Sequence, residues 1–119
     1  MSVVYPLFVL LDDRTMMSIA SPDLILYHLE PIDIENEEYG FWDSTGQSFR
    51  IETRGGKITE VRPCESNMSL NDAFLAYVDA MSLPRTLVDG EPTEILDRID
   101  HELRARPKKA SWLSKLFRS

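Results

Sequence analysis

The chain contains a single cysteine, Cys64, among its 119 residues, so no disulfide can form within it. Sparse cysteine is typical of proteins from reducing compartments. The two histidines, His28 and His101, are far from each other and from Cys64 in sequence, and their spacing does not match that of zinc ligands. Neither a Cys/His metal site nor a cysteine nucleophile activated by histidine is therefore predicted.

Long apolar segments are also missing. The most apolar run, residues 3–11, is far shorter than the roughly 20 residues of a membrane-spanning helix. Asp12, Asp13 and Arg14 follow it, where a signal peptide would have a cleavage site of small residues. We expect a buried strand here. Together with the single cysteine, this pattern predicts a cytoplasmic protein.

Glycine-rich loops that bind phosphates are absent as well. The only adjacent glycines are Gly55 and Gly56, and strand-like residues flank them on both sides. This arrangement is typical of a two-residue hairpin turn, not of a nucleotide-binding loop. No cofactor is therefore predicted.

Positive charge is scarce outside the C-terminal end of the chain. Residues 1–103 contain seven basic and twenty acidic residues, a net charge of −13, whereas residues 104–119 contain six basic residues and no acidic one. An acidic surface repels the phosphates of nucleic acids, so we predict that the main domain binds neither DNA nor RNA. The same charge favours a basic protein as partner.

The sequence is organised around residues 38–62, which predict three β-strands joined by two turns. Residues 43–46 begin with Asp and end with Gly, as a type I turn favours, and Gly55–Gly56 forms the second turn. Apolar and polar residues alternate between the turns, as in a strand with one solvated face. In the third strand Ile58 and Val61 are three residues apart, so a bulge or cover by another element is needed to bury both.

The remaining elements complete an α+β fold, with a mostly antiparallel sheet of about five strands and helices packed mainly on one face. The clearest helix carries apolar residues at helical spacing from Leu70 to Met81, after a sequence close to a capping box at Ser69–Asp72. The predicted strands are 3–11, 14–20, 38–42, 47–54 and 57–62, and the predicted helices are 22–29, 70–82 and 93–105. Residues 1–106 are predicted to form a single domain.

The densest acidic stretch lies between Pro31, which is predicted to end the first helix, and the three central strands. Its Ile residues alternate with acidic ones, which predicts an extended segment with one anchored side. Aromatic residues beside charged ones are typical of protein-binding surfaces. The predicted partner-binding residues are Asp33, Glu35, Glu37, Glu38, Tyr39 and Trp42. Two alternatives stay open: core aromatics beside solvated acids, and a calcium or magnesium site at Asp33, Glu35 and Glu37.

Residues 107–119 form a predicted basic, amphipathic tail. Its large apolar residues would share one side of a helix, and they are Trp112, Leu113, Leu116 and Phe117. Burying four such side chains is worth on the order of 5 kcal/mol, so we expect them to pack within the protomer or a homodimer. Contact with an anionic membrane is the alternative.

These features together predict a non-enzymatic cytoplasmic interaction protein, monomeric or homodimeric, that binds a basic protein partner as an inhibitor or immunity-type protein does. The first alternative is a small enzyme or ligand-binding domain with a pocket between sheet and helices. That alternative would use Asp33, Glu35, Asp43 or His28. The second alternative is a peripheral membrane protein attached through residues 108–119.

Overall fold

The computed structural model of the protein describes residues 3–105 and shows the predicted α+β fold. All five predicted strands are present in one antiparallel sheet, and the first three are shorter than predicted by two residues or more. The strands are β1 (Leu7–Leu10), β2 (Met16–Ile19), β3 (Gly40–Trp42), β4 (Ser48–Arg54) and β5 (Lys57–Pro63). The helices are α1 (Ile25–His28), α2 (Pro31–Glu35), α3 (Leu70–Ala80) and α4 (Pro92–Ala105), and 3₁₀ turns cover Pro22–Leu24 and Arg85–Leu87.

β1 lies inside the sheet, whose strand order is β2-β1-β3-β4-β5. It pairs with strands on both sides, so that Phe8 lies opposite Ser18 of β2 and Trp42 of β3. The strand begins at Leu7 rather than at residue 3. Pro6 has no N–H to donate to a neighbouring strand, and an interior strand needs those donors on both sides.

The β4–β5 hairpin contains the irregularity that the spacing of Ile58 and Val61 requires. Glu52 pairs with Glu60 and Thr53 pairs with Ile58, which leaves one extra residue on β5. This bulge shifts the alternation of side chains by one position. Ile58 and Val61 therefore both pack against the same core.

Hydrophobic residues cover both faces of the sheet, and two separate cores result. The α3–α4 core lies between the sheet and the two long helices, and its buried residues include Phe8, Met16, Trp42, Phe74, Tyr77, Ile95 and Ile99. The α1–α2 core lies on the opposite face, and its buried residues include Leu7, Val9, Ile25, Ile34, Phe41, Phe49 and Ile51. Two of the three predicted helices thus share a face. The segment predicted at 22–29 packs on the other face because apolar residues of β1 and β4 also need cover there.

Neighbouring residues of β1 and β3 belong to different cores. Leu7 and Val9 are buried in the α1–α2 core, whereas Phe8 between them is buried in the α3–α4 core. Phe41 and Trp42 divide in the same way. This division follows from strand geometry, in which successive side chains point to opposite faces of the sheet.

Both ends of α3 are closed by hydrogen bonds. At its start, Ser69 Oγ accepts a bond from the Asp72 N–H at 3.0 Å, and Asp72 accepts one from the Ser69 N–H at 3.4 Å, which is the predicted capping box. At its end, Ser82 has a φ of 56°, and the Leu83 N–H donates to the Val78 carbonyl at 2.7 Å. This is a Schellman motif with serine at the position that glycine usually occupies.

Candidate partner-binding surface

The acidic segment that was predicted to be extended is a helix instead. Pro31, predicted to end the preceding helix, is the first residue of α2 and has the φ that a helix start favours. The helix is so short that alternation of apolar and acidic residues does not distinguish it from a strand. Ile34 is 3% exposed in the α1–α2 core, whereas Ile32 is 60% exposed. α2 therefore buries one isoleucine and presents the other to solvent.

α2 ends in a second Schellman motif, whose left-handed position is Glu37 with a φ of 57°. The N–H groups of Glu37 and Glu38 donate to the carbonyls of Ile34 and Asp33 at 3.0 and 3.1 Å. A side chain at this position costs roughly 1 kcal/mol relative to glycine. The Glu37 carboxylate forms an ion pair with Arg50 of β4. The strained turn therefore directs a charged side chain towards the sheet.

Two further hydrogen bonds hold α2 in place. Thr53 Oγ1 of β4 donates to Glu35 Oε1 at 3.1 Å. The Tyr39 hydroxyl donates to Asp33 Oδ2 at 3.1 Å. Side chains at three positions of this segment are therefore fixed by partners in neighbouring parts of the chain.

Negative charge is concentrated around the Tyr39 hydroxyl. Burial, the hydrogen bond with Asp33 and the charges of Asp33, Glu38 and Asp12 together raise the pKa of Tyr39 to about 12. The hydrogen bond with Asp33 is the largest cause that raises the pKa of the Glu38 carboxyl, followed by desolvation and by the charges of Asp33 and Asp12. Asp12 reaches this cluster from the turn between β1 and β2.

We call the exposed Ile32 and the carboxylates of Asp33, Glu35, Glu37 and Glu38 the acidic α2 surface. The structure brings these four predicted acids together on one helix and the turn that follows it. Ile32, on the same helix, is mostly in solvent. An exposed apolar side chain on a segment rich in charged residues is typical of protein-binding surfaces.

Of the two predicted aromatic residues, Tyr39 adjoins the acidic α2 surface and Trp42 does not. Tyr39 is half-buried and packs against the α1–α2 core. Trp42 is 2% exposed in the α3–α4 core, and its Nε1 donates to the Met68 carbonyl at 3.2 Å. Trp42 follows Phe41 in β3, and strand alternation sends the two rings to opposite faces. Trp42 is therefore not part of the acidic α2 surface.

A pair of depressions lies between α2 and the β4–β5 hairpin, and we call the pair the α2 groove. Their volumes are about 440 and 350 Å³. They share four lining residues, Ile34, Glu37, Arg50 and Ile51. The further apolar lining comes from Tyr39, Phe41 and Phe49, and the further charged lining comes from Glu35, Glu52, Arg54 and Glu65. The groove thus combines an apolar lining with charged residues of both signs.

The candidate catalytic and metal-binding residues are dispersed. Within residues 3–105, no group of three His, Cys, Asp or Glu side chains is placed to hold a metal ion. Asp33, Glu35 and Glu37 each contact a different protein partner, so they do not converge on one centre. His28 is exposed, and its ring meets the ring of Tyr27 edge to face with 4.9 Å between centroids.

Asp43, a residue of the enzyme alternative, has a structural role and is 2% exposed. Its Oδ1 accepts bonds from the Thr45 N–H at 2.9 Å, the Thr45 hydroxyl at 2.6 Å and the Gln47 N–H at 3.2 Å. Its Oδ2 accepts one from the Val4 N–H at 3.1 Å. Burial alone would raise the pKa of Asp43, but these hydrogen bonds outweigh it and lower the pKa. The carboxylate ties the N-terminal segment to the turn before β4.

The sequence interpretation missed Asp12, Arg50 and Thr53 as neighbours of the acidic α2 surface. Their contacts join residues well apart in the chain, such as the pair Thr53 and Glu35, which are 18 positions apart. No local pattern reveals such contacts. The sequence did contain a sign that Ile32 could be exposed. An isoleucine in a short segment of alternating apolar and acidic residues faces either the core or the solvent.

No protein-family model matches the chain, and no curated protein and no solved structure matches it either. In the part of the chain that the structure describes, no helix is both long and apolar enough to cross a membrane. The predicted tail contacts, Trp112, Leu113, Leu116 and Phe117, lie outside the described residues.

Proposed function

We propose that this chain is a non-enzymatic interaction protein that binds a basic protein partner through the acidic α2 surface. The observation that supports the proposal most is that α2 and the turn after it carry four carboxylates and the exposed Ile32, and that Glu35 and Glu37 hold this segment against β4. An inhibitor or immunity-type protein uses such a surface to cover a cationic site on its partner. A cytoplasmic location is part of the proposal, and its support is the single cysteine.

The charge of the chain segment that contains this surface supports long-range attraction of a basic partner. Residues 3–40 contain eight acidic residues and one basic residue, Arg14. Such an excess raises the association rate of an oppositely charged protein at low salt. At an ionic strength of about 0.1 M the Debye length is about 10 Å, so the attraction is screened at higher salt.

Ile32 supplies the apolar contact that charge alone does not. Burying an isoleucine side chain is worth about 2 kcal/mol, and a few such anchors carry most of the affinity at protein interfaces. Because α2 is already fixed by Glu35, Glu37 and Asp33, little conformational entropy is lost when a partner binds.

The test measures the affinity of the full chain for a basic amphipathic helical peptide of lysine and leucine, by isothermal titration calorimetry at several salt concentrations. In the Trp112→Ala, Phe117→Ala background, which removes any contribution of the C-terminal segment, the double variant Glu35→Gln with Glu38→Gln is expected to bind about tenfold more weakly. Its control is Glu94→Gln with Glu102→Gln, which makes the same change in charge on the exposed side of α4. The control is expected to change the affinity less than twofold. If both double variants weaken binding equally, the effect depends only on the net charge of the protein and not on the acidic α2 surface, which would contradict the proposal.

A second pair of variants tests the apolar anchor. Ile32→Ser is expected to weaken peptide binding about tenfold, and this loss should persist at high salt because it does not depend on charge. Tyr27→Ser is the control, since Tyr27 is 79% exposed on α1 and lies outside the acidic α2 surface. If Ile32→Ser binds as the unchanged protein does, Ile32 is not an anchor.

A further inference from the structure

The C-terminal segment of the chain has the chemistry that the acidic α2 surface would bind. Residues 106–119 contain five basic residues and no acidic one. They also contain Trp112, Leu113, Leu116 and Phe117, whose spacing would place all four on one side of a helix. A basic, apolar-faced peptide is the class of partner proposed above, and here the chain itself carries one.

The α2 groove has apolar and acidic residues that complement the apolar and basic residues of this segment. Ile34, Phe41 and Ile51 provide apolar lining, and the carboxylates of Glu35 and Glu37 lie at the same site. An apolar side chain can enter between α2 and the hairpin while a neighbouring lysine or arginine approaches a carboxylate. Burying the four large apolar residues is worth on the order of 5 kcal/mol, which favours a packed position for them.

The length of the segment is comparable with the shortest dimension of the molecule. α4 ends at Ala105 and packs on the face of the sheet opposite to α2. An extended chain spans about 3.3–3.6 Å per residue and a helix about 1.5 Å, so six extended residues followed by a helix from Trp112 to Phe117 would reach about 29 Å from Ala105. The shortest dimension of the molecule is 24 Å, so this length is comparable with the distance from one face to the other.

We propose that residues 106–119 occupy the α2 groove of their own chain and that a basic partner has to displace them. This inference rests on the proposed function, because both use the acidic α2 surface. A segment attached to the same chain has an effective concentration in the millimolar range, so a weak contact is enough to fill the groove. If the groove is occupied in about nine of ten molecules, the affinity for a partner is about tenfold lower than that of the free groove.

Zero-length carbodiimide cross-linking of the full chain tests the contact. The chain has only four lysines, Lys57, Lys108, Lys109 and Lys115. The expected result, read by mass spectrometry of the monomer band, is amide links between residues 108–115 and carboxylates of residues 33–38. Glu35→Gln with Glu38→Gln should remove most of these links, and Glu94→Gln with Glu102→Gln should not. Tail lysines that link only to α4, only to a second chain, or to nothing would overturn the inference.

Peptide affinity separates this inference from the proposed function. Trp112→Ala with Phe117→Ala in the full chain is expected to tighten binding of the lysine–leucine peptide about tenfold. An unchanged affinity would overturn the inference and leave the partner-binding surface in place. If no variant binds the peptide but the cross-links to residues 33–38 form, the tail contact is supported and the proposed function fails. A vesicle flotation experiment tests the membrane alternative. If the unchanged chain floats with phosphatidylserine vesicles and the double variant does not, the tail binds lipid and the inference is overturned.

Discussion

Glu37 occupies the left-handed position at the end of α2 and forms an ion pair with Arg50, so a strained backbone residue carries a contact to the sheet. Ser82 occupies the equivalent position at the end of α3, with a φ of 56°. Glycine would adopt either conformation without the clash that a Cβ causes. The two turns therefore have the same backbone conformation, and only the turn at Glu37 belongs to the acidic α2 surface.

Replacing the two residues by glycine should separate stability from binding. Ser82→Gly is expected to raise the free energy of unfolding by about 1 kcal/mol, because the strain is relieved. Glu37→Gly should raise it by less, because an exposed ion pair worth up to about 1 kcal/mol is lost. Urea denaturation measures both. Only Glu37→Gly should also weaken binding of the lysine–leucine peptide, and unchanged binding would exclude Glu37 from the surface.

Asp43→Asn is expected to lower the free energy of unfolding by about 1–3 kcal/mol. The amide keeps one acceptor oxygen for Thr45 and Gln47 but turns an N–H₂ group towards the Val4 N–H, which loses its partner. Asp13→Asn is the control, because Asp13 makes the same turn with Thr15 at an exposed position, and it should cost less. Equal losses would mean that the bond to Val4 contributes nothing.

The contribution of Asp43 should also depend on pH. Hydrogen bonds hold its pKa in the folded protein below the unfolded value of about 3.9. Its stabilising effect is therefore fully present above about pH 4 and is lost as the pH falls through the lower, folded-state pKa. Urea midpoints of the unchanged protein and of Asp43→Asn should converge as the pH is lowered from 5 to 2. A constant difference over that range would contradict this assignment.

The Tyr39→Phe variant should lose less stability at alkaline pH than the unchanged protein does. The pKa of Tyr39 is about 12 in the folded protein, against about 10 when unfolded. Its contribution to stability is complete below pH 10 and is lost as the pH rises through 12, because the unfolded chain ionises first. Thermal melts from pH 8 to 11.5 should show a smaller decline for Tyr39→Phe than for the unchanged protein. Parallel declines would mean that Tyr39 ionises normally.

Gly40→Ala is expected to destabilise the protein by about 1–3 kcal/mol through overpacking. A Cβ on Gly40 would lie 2.6 and 2.9 Å from Cη2 and Cζ3 of Trp42. The indole cannot easily move aside, because it is buried and bonded to the Met68 carbonyl. The same substitution in a Trp42→Phe background should cost less, since the ring is smaller. A penalty that is equal in both backgrounds would exclude this clash as its cause.

The features that could be predicted from the sequence are those that depend on residues close together in the chain. The capping box at Ser69 and Asp72, the hairpin at Gly55–Gly56 and the bulge required by Ile58 and Val61 all depend on contacts within a few positions, and all are present. The alternation that separates Phe41 from Trp42 is equally local. It also places Trp42 in the α3–α4 core, away from the other residues of the partner-binding hypothesis.

Contacts between distant residues could not be predicted in the same way. The bond from Val4 to Asp43 joins positions 39 apart, and the face on which the segment 22–29 packs depends on which strands leave apolar residues uncovered. α2 was missed for another reason. Pro31 is compatible with the end of one helix and with the first position of the next, and five residues are too few to reveal a period.

The outer edge of β5 has a consequence for how copies of this protein behave when concentrated. An incoming strand would meet the side chains of Lys57, Glu60 and Arg62, the missing donor of Pro63 and the bulge between them. Each of these features disfavours growth of a β-sheet from one molecule to the next. This edge is thus protected against aggregation through strand pairing, although it is the last strand of the sheet.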